Sequence, residues 1–102
     1  MLLNGTLDLK TADYPIMSAA THFTAPHQQL VIIPHGEHVL IEHSAVTPST
    51  GGRPCGMKLM LDFLAAPTQP LDTGCINEIP PLDFHGAADV AQALFGTTDL
   101  YE

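Results

Sequence analysis

The stretch Leu30-Val31-Ile32-Ile33, which ends at Pro34, decides the fold. A continuous apolar run rich in β-branched residues predicts a strand that is covered on both of its faces. Apolar residues recur at helical spacing over residues 14–24, and the chain opens on the apolar residues 1–3. A strand, a helix and a second strand joined by short connections form a βαβ unit, whose strands run parallel. The sequence therefore predicts an α/β fold with parallel strands.

The second half of the chain is predicted to consist of helices and loops. Residues 56–66 are nearly all apolar, which predicts a largely buried helix that ends before Pro67. Residues 67–86 are rich in proline and predict an ordered, meandering surface segment. Apolar residues at helical spacing over 87–94 predict a last short helix, with Gly96 as its C-terminal stop.

Residues 1–102 are predicted to form one partial domain. Two parallel strands do not make a stable sheet by themselves, because parallel sheets are multi-stranded and buried on both faces. The chain opens directly on its first predicted strand, and its first residues do not predict a signal peptide. We therefore expect the neighbouring strands to come from an upstream part of the protein.

The composition limits the class of partner. Of the 102 residues, 45% are hydrophobic and 14% are charged, as in globular domains. Eleven acidic residues against three basic ones give a net charge of −8, which repels phosphate backbones and anionic lipid headgroups. No apolar run approaches the ~20 residues of a transmembrane helix. We expect neither nucleic acid nor a membrane as a partner.

Two titratable residues follow the two predicted strands. Asp8 closes the stretch Asn4-Gly5-Thr6-Leu7-Asp8, and His38 closes the stretch Pro34-His35-Gly36-Glu37-His38. Catalytic groups in open α/β sheets collect beyond the carboxyl ends of the strands. Neighbouring parallel strands lie ~4.8 Å apart, so their loops can bring a carboxylate to an imidazole. Asp8 and His38 are therefore the candidate catalytic residues.

A carboxylate beside a histidine is the acid–base part of a Ser-His-Asp triad. The histidine takes a proton from the serine and returns it to the leaving group, while the carboxylate fixes the histidine tautomer. An acid that precedes the histidine also matches the chain order of α/β-hydrolases. Ser18, Ser44 and Ser49 lack the Gly-x-Ser-x-Gly flanks of a nucleophile. The chain alone is therefore predicted to be inactive.

The cysteines and histidines allow other sites to be considered. In a reducing compartment Cys55 and Cys75 would remain two separate thiols without a structural role. In an exported protein they could form a disulfide that contributes ~3 kcal/mol to the free energy of unfolding. The residues alone leave both possibilities open. The spacing of His35, His38 and His43 does not match the i, i+4 pair of a helical zinc site, and no thiolate is nearby. We expect no metal and no cofactor.

Several stretches resemble one known family. Residues 2–8 resemble the strand-plus-acid motif of tripeptidyl-aminopeptidase-like α/β-hydrolases, and residues 33–38 are similar to their strand-plus-histidine motif. The Pro54-Cys55 pair, the helix over 58–64 and the segment 70–75 also resemble the C-terminal domain of this family. The resemblance covers residues 1–85 and depends on the order and spacing of these motifs together.

The resemblance implies the C-terminal βαβ portion of an α/β-hydrolase fold, with Asp8 as the triad acid and His38 as the general base. It also implies a Cys55–Cys75 disulfide and export to the periplasm or the extracellular space. The partner would be an upstream core that carries the serine, and the substrate a peptide or a small amide or ester. Glu37 departs from the family, which has a small residue before the histidine. A carboxylate there could raise the proton affinity of the imidazole or compete for its ring N–H.

Simpler interpretations remain open at this point. Asp8 could only cap its loop, and His38 could be an ordinary loop histidine. The chain could be a non-enzymatic accessory domain that folds against a separately encoded hydrolase core. It could also be a small acidic binding domain whose βαβ unit finds another sheet partner, for example by dimerisation.

Overall fold

The computed structural model describes residues 1–10, 13–22, 25–84 and 86–98. It contains two strands, five α-helices and one short 3₁₀ helix within these ranges. In chain order they are β1 (Leu2–Gly5), α1 (Asp13–His22), β2 (Leu30–Ile33), α2 (Leu40–His43), the 3₁₀ helix Pro48–Thr50, α3 (Cys55–Ala65), α4 (Gly74–Asn77) and α5 (Ala88–Phe95).

The two strands pair in parallel, as the βαβ pattern predicts. Leu2 lies opposite Leu30, and Gly5 lies opposite Ile33. The prediction for β2 is confirmed at both ends, but β1 extends two residues beyond its predicted end at residue 3. Polar Asn4 continues the strand because it is buried within the pairing, at only 2% exposure.

The helices agree with the sequence pattern except at their ends. Helix α1 occupies most of the predicted range 14–24, whose residues 23 and 24 lie outside the described residues. Helix α3 begins and ends one residue earlier than predicted. Helix α5 begins and ends one residue later than predicted, and it is followed by Gly96, whose φ of 73° is the left-handed conformation that glycine favours.

The core lies between one face of the sheet and the helices of the second half. Val31 and Ile33 point to this face, and Leu3 packs beside them. Helix α3 reaches α2 closely because Gly56 has no side chain; a Cβ there would overlap the carbonyl oxygen of Leu40. The buried cluster consists of Val31, Ile33, Leu40, Cys55, Leu59 and Cys75, with Met1, Leu3, Leu71, Ile76 and Ile79 packed around it.

A disulfide joins Cys55 to Cys75. This pairing confirms the disulfide that the family resemblance implies. The bond attaches α4 to the first residue of α3, and both cysteines are fully buried. It therefore fixes the proline-rich segment against the core.

The chain is less compact than a domain of its size usually is. Its radius of gyration is 16.8 Å, whereas about 13 Å is expected for 100 residues. Its accessible surface is 6937 Å², against about 5,600 Å² for a compact monomer of this mass. Large apolar side chains contribute to this surface, among them Phe84, Leu94 and Phe95 at 69% exposure. No helix within the described ranges is long and apolar enough to cross a membrane.

Candidate functional site

Asp8 lies in the turn that follows β1, with its side chain almost completely buried. Its backbone N–H donates to the carbonyl oxygen of Gly5 at 3.2 Å, which closes the turn. Its Oδ1 accepts the backbone N–H of Lys10 at 2.9 Å. Only 5% of the side chain is exposed. A carboxylate that is buried and hydrogen-bonded in this way has a fixed orientation.

His38 lies in the loop that follows β2. Pro34 ends the strand, and the N–H of Gly36 donates to the carbonyl oxygen of Ile33 at 3.2 Å to form a tight turn. Within this turn His35 has a φ of 57°, an unusual value for a residue other than glycine. The chain thus reverses within a few residues and places His38 beside Asp8.

The two side chains form a direct contact, as the strand-end argument predicts. His38 Nδ1 lies 3.0 Å from Asp8 Oδ2 and 3.2 Å from Oδ1. An ionised carboxylate can only accept, so Nδ1 carries the hydrogen and Nε2 of the neutral ring carries the lone pair. About half of the imidazole is exposed, at 49%, whereas the carboxylate is not. The pair therefore offers a proton acceptor to a group that arrives from outside.

Glycine allows the two loops to approach each other. A Cβ on Gly5 would overlap the carbonyl group of Gly36, and a Cβ on Gly36 would overlap the side chain of Leu40. The N–H of Leu7 also donates to the carbonyl oxygen of Gly36, at 3.0 Å. A larger residue at Gly5 would therefore push the acid loop away from the histidine loop.

Glu37 contacts a histidine other than its neighbour His38. Its carboxylate lies 3.5 Å from Nδ1 of His43, and both side chains are more than half exposed. Asp8, not Glu37, contacts the Nδ1 atom of His38. Glu37 therefore does not compete with Asp8 for Nδ1 of His38 in this structure, because its carboxylate is oriented towards α2.

The serines of this chain do not complete a triad. Ser44 is buried, and its Oγ accepts the backbone N–H of Gly56 at 2.7 Å. Ser18 lies in α1, and Ser49 lies in the 3₁₀ helix, where its backbone N–H donates to Glu78. None of the three is hydrogen-bonded to His38. A serine nucleophile would have to come from outside residues 1–102.

Apolar surface adjoins the histidine. A recess of about 280 Å³ is lined by Leu3, His38, Val39, Leu40 and Ile41. A second groove, of about 380 Å³, lies along the turn after β2 and is bordered by the proline-rich segment around Ile79 to Leu82. The exposed imidazole thus stands at the edge of a surface that water solvates poorly.

A separate group of charges holds the disulfide-bonded segment. Lys58 Nζ lies 2.8 Å from Asp62 Oδ2 and 3.4 Å from Asp72 Oδ2. The hydrogen bond to Asp62 is the largest of the effects that raise the pKa of Lys58. The N–H of Gly74, followed by Lys58, lowers the pKa of Asp72. The contact with Asp62 lies within α3, whereas the contact with Asp72 links α3 to the disulfide-bonded segment, and neither involves Asp8 or His38.

Metal ligands do not gather in the part of the chain that the structure describes. No three histidine, cysteine, aspartate or glutamate side chains lie close enough there to hold an ion.

Comparisons with protein-family models, with curated proteins and with solved structures found no match for this chain. The resemblance to tripeptidyl-aminopeptidase-like hydrolases therefore stays a prediction from the sequence motifs. The geometry of Asp8 and His38 is the main observation that bears on function.

Sequence reasoning missed two residues that shape this site. Thr6 and Gly36 connect the acid loop to the histidine loop, through the Thr6 hydroxyl and the Gly36 carbonyl. The motifs that contain Thr6 and Gly36 drew attention to Asp8 and His38 instead. Nothing in the residue types showed that the Thr6 hydroxyl and the Gly36 carbonyl would connect the two loops.

Proposed function

We propose that this chain supplies the acid and the general base of a serine-hydrolase triad to a hydrolase core that carries the serine. The observation that supports the proposal is the 3.0 Å contact between the buried Asp8 Oδ2 and Nδ1 of the half-exposed His38. It leaves Nε2 as the basic atom, which is the orientation that a triad requires. In this proposal, the chain forms the C-terminal βαβ portion of an α/β-hydrolase fold.

The reaction uses the histidine twice. Nε2 of His38 accepts the proton of the serine hydroxyl while the serine oxygen bonds to the substrate carbonyl carbon. Asp8 stabilises the imidazolium through the hydrogen bond to Nδ1, without taking the proton itself. The imidazolium then gives its proton to the leaving amine or alcohol as the acyl bond breaks. A water molecule, deprotonated by Nε2 of His38, then attacks the acyl-serine. The ester bond breaks, the acid is released and the serine hydroxyl is restored.

The surface of the chain favours a partner for this chemistry. Its accessible area is about 1,300 Å² larger than that of a compact monomer, which exceeds the ~800 Å² that each side buries in a standard interface. A two-stranded parallel sheet also lacks the neighbours that such sheets normally have. We place the hydrolase core on this surface, so that its serine reaches the exposed side of His38.

Substrate and compartment follow from the family resemblance. The acyl group would be a short peptide released from an N-terminus, or a related small amide or ester. The disulfide is compatible with the periplasm or the extracellular space, because such bonds persist in oxidising compartments. The recess beside His38 is apolar enough to contribute to a binding surface for such substrates or for the core itself.

A fluorophosphonate probe tests the proposal in the native host. The probe bonds to a serine that a triad histidine activates. With a tag on the native gene, we expect the label on the polypeptide that contains this sequence or on one that co-purifies with it. Changing the chromosomal codon for His38→Ala should reduce labelling by about 10³-fold or more, since the general base is lost.

His27→Ala is the matched control, because His27 is an exposed histidine in the turn before β2. Its labelling should remain within about twofold of the wild-type value, as for surface substitutions away from a site. Equal labelling of the His38→Ala and wild-type proteins would exclude the proposed mechanism.

A non-enzymatic accessory domain is the second candidate. The exposed apolar side chains of α5 support it as well as they support the first, because either function provides a partner that covers them. Leu94 and Phe95 are both 69% exposed. In that case a co-purifying hydrolase core would take the same fluorophosphonate label in the His38→Ala variant as in the wild type, because His38 would not belong to its triad. The same experiment therefore distinguishes the two functions.

A further inference from the structure

The hydroxyl of Thr6 lies where the acid loop and the histidine loop meet. Thr6 Oγ1 accepts the backbone N–H of His35 at 2.9 Å, and the backbone N–H of Thr6 donates to the carbonyl oxygen of Ile33 at 3.1 Å. One residue of the acid loop therefore contacts both the last residue of β2 and the turn that follows it. Two residues further along the chain, Asp8 contacts His38.

The turn that Thr6 contacts is strained. His35 has a φ of 57°, in the left-handed region that side chains other than glycine rarely adopt. Such a conformation persists only where surrounding contacts fix it. The hydrogen bond from the His35 N–H to Thr6 is one of these contacts, and its acceptor is a side-chain hydroxyl, not a backbone carbonyl.

Among the contacts that join the two loops, this one can be altered alone. Besides the Asp8–His38 pair itself, the loops share the backbone hydrogen bonds Thr6 N to Ile33 O and Leu7 N to Gly36 O, and the close approach of Gly5 to Gly36. Substitution at Gly5 would displace backbone, and substitution at Gly36 would displace the side chain of Leu40. Thr6 is exposed, so a change of its hydroxyl leaves no buried cavity.

We infer that Thr6 is a positioning residue for the Asp8–His38 pair. Its hydroxyl fixes the conformation of the turn at His35. The conformation of this turn then determines the distance between His38 and Asp8 and the orientation of the His38 ring. Thr6 itself contacts neither the imidazole nor the carboxylate in this arrangement, so its role is indirect. The inference deepens the proposed function and rests on it for its catalytic consequence.

Two substitutions separate the hydroxyl from the shape of the side chain. Thr6→Val keeps the size and branching but removes the acceptor, whereas Thr6→Ser keeps the acceptor and removes the methyl group. Thr21→Val is the matched control, because the exposed Thr21 in α1 also uses its hydroxyl in a local hydrogen bond, to the carbonyl oxygen of Ser18. These variants are made in the protein as its native gene expresses it.

Two measurements report on position independently of activity. Hydrogen exchange should show the His35 amide exchanging about threefold to tenfold faster in Thr6→Val, the range expected for one lost hydrogen bond. In ¹⁵N spectra of the histidine ring, identified with His38→Gln, the population with hydrogen on Nδ1 should fall. Thr6→Ser and Thr21→Val should match the wild type in both measurements.

Fluorophosphonate labelling then connects position to chemistry. We expect the labelling rate of Thr6→Val to fall by a similar threefold to tenfold factor, with Thr6→Ser restored to within about twofold. If Thr6→Val leaves the His35 exchange rate and the His38 tautomer unchanged, or if Thr6→Ser behaves like Thr6→Val, the positioning role is wrong.

The outcomes also separate this inference from the proposed function. If labelling depends on His38 but not on Thr6, the triad stands and the positioning role fails. If the His38 tautomer depends on Thr6 but no labelling depends on His38, the positioning role stands and the triad fails.

Discussion

Helices α3 and α5 are both apolar, but α3 buries one face of its apolar side chains, whereas α5 leaves its large apolar side chains exposed. In α3, Cys55 and Leu59 are completely buried. In α5, the buried residue is Ala91, while Leu94 and Phe95 are 69% exposed. The two helices therefore have similar sequences of apolar residues and very different surroundings.

The difference lies in what holds each helix. Helix α3 is attached to α2 by the hydrogen bond from the Gly56 N–H to Ser44 Oγ, at 2.7 Å, and to α4 by the disulfide at Cys55. Helix α5 follows the proline-rich segment and contributes little to the buried cluster. Apolar periodicity thus predicts that a helix has a face to bury, but it does not identify what buries it.

Removal of a core side chain should show this difference most strongly. Leu59→Ala is expected to lower the free energy of unfolding by about 4 kcal/mol, because Leu59 is fully buried and its loss leaves a cavity. Leu94→Ala is the matched variant in α5, and the free energy should change by no more than about 0.5 kcal/mol. Urea unfolding of the purified chain, followed by circular dichroism, measures both.

Equal losses in the two leucine variants would contradict this comparison. They would mean that Leu94 is covered in solution, for example by a second copy of the chain. Repeating the measurement over a range of protein concentrations would reveal such association, since the unfolding midpoint would then depend on concentration.

Loss of the disulfide should have a slightly smaller effect. The bond closes a loop with a sequence separation of 20, which in the chain-entropy model contributes about 3 kcal/mol. The double variant Cys55→Ala, Cys75→Ala should therefore unfold at lower urea, and amide exchange should increase in α3 and α4 but not in α5. A reducing agent should destabilise the wild-type chain similarly and leave the double variant unchanged. A wild-type chain that is insensitive to reductant would contradict the prediction.

Much of the candidate site could be predicted because it depends on topology. Strand β2 is marked by a continuous apolar run, and parallel strands bring their carboxyl ends to one edge of a sheet. The meeting of Asp8 and His38 follows from those two facts. The catalytic role that we propose for the pair depends in addition on a serine nucleophile, which this chain does not supply.

The remaining details depend on contacts that a sequence pattern does not encode. Helices α2 and α4 have only four residues each, too few to show a 3.6-residue period. The close approach of Gly5 to Gly36 and the hydroxyl contact of Thr6 arise from the paths of two loops that are distant in sequence. Whether the two cysteines form a bond could not be decided from the residues alone, and the structure brings their Cα atoms to 5.8 Å, within the range of a disulfide.

Low pH should lower the stability of the disulfide-bonded region. We expect this effect to be smaller than that of Leu59→Ala or of the loss of the disulfide. The pKa of Asp72 is lowered by the Gly74 N–H and by Lys58, and that of Glu78 is lowered chiefly by the Ser49 N–H. Carboxylates with a lowered folded-state pKa contribute stability above their unfolded pKa values, near 3.8 and 4.5, and lose it as the pH falls through the folded values. Both groups are exposed, so solvent screens the contribution and it should be smaller than that of the disulfide.

The urea midpoint of the wild-type chain should therefore fall between pH 5 and pH 3 more steeply than that of the double variant Asp72→Asn, Glu78→Gln. Glu42→Gln serves as the control, since Glu42 is exposed and makes no side-chain hydrogen bond or ion pair with a described residue. Its pH dependence should follow the wild type. If the double variant were to keep the full wild-type slope, the contacts of the segment around Cys75 would not contribute to its stability, and burial in the core would account for the whole difference between α3 and α5.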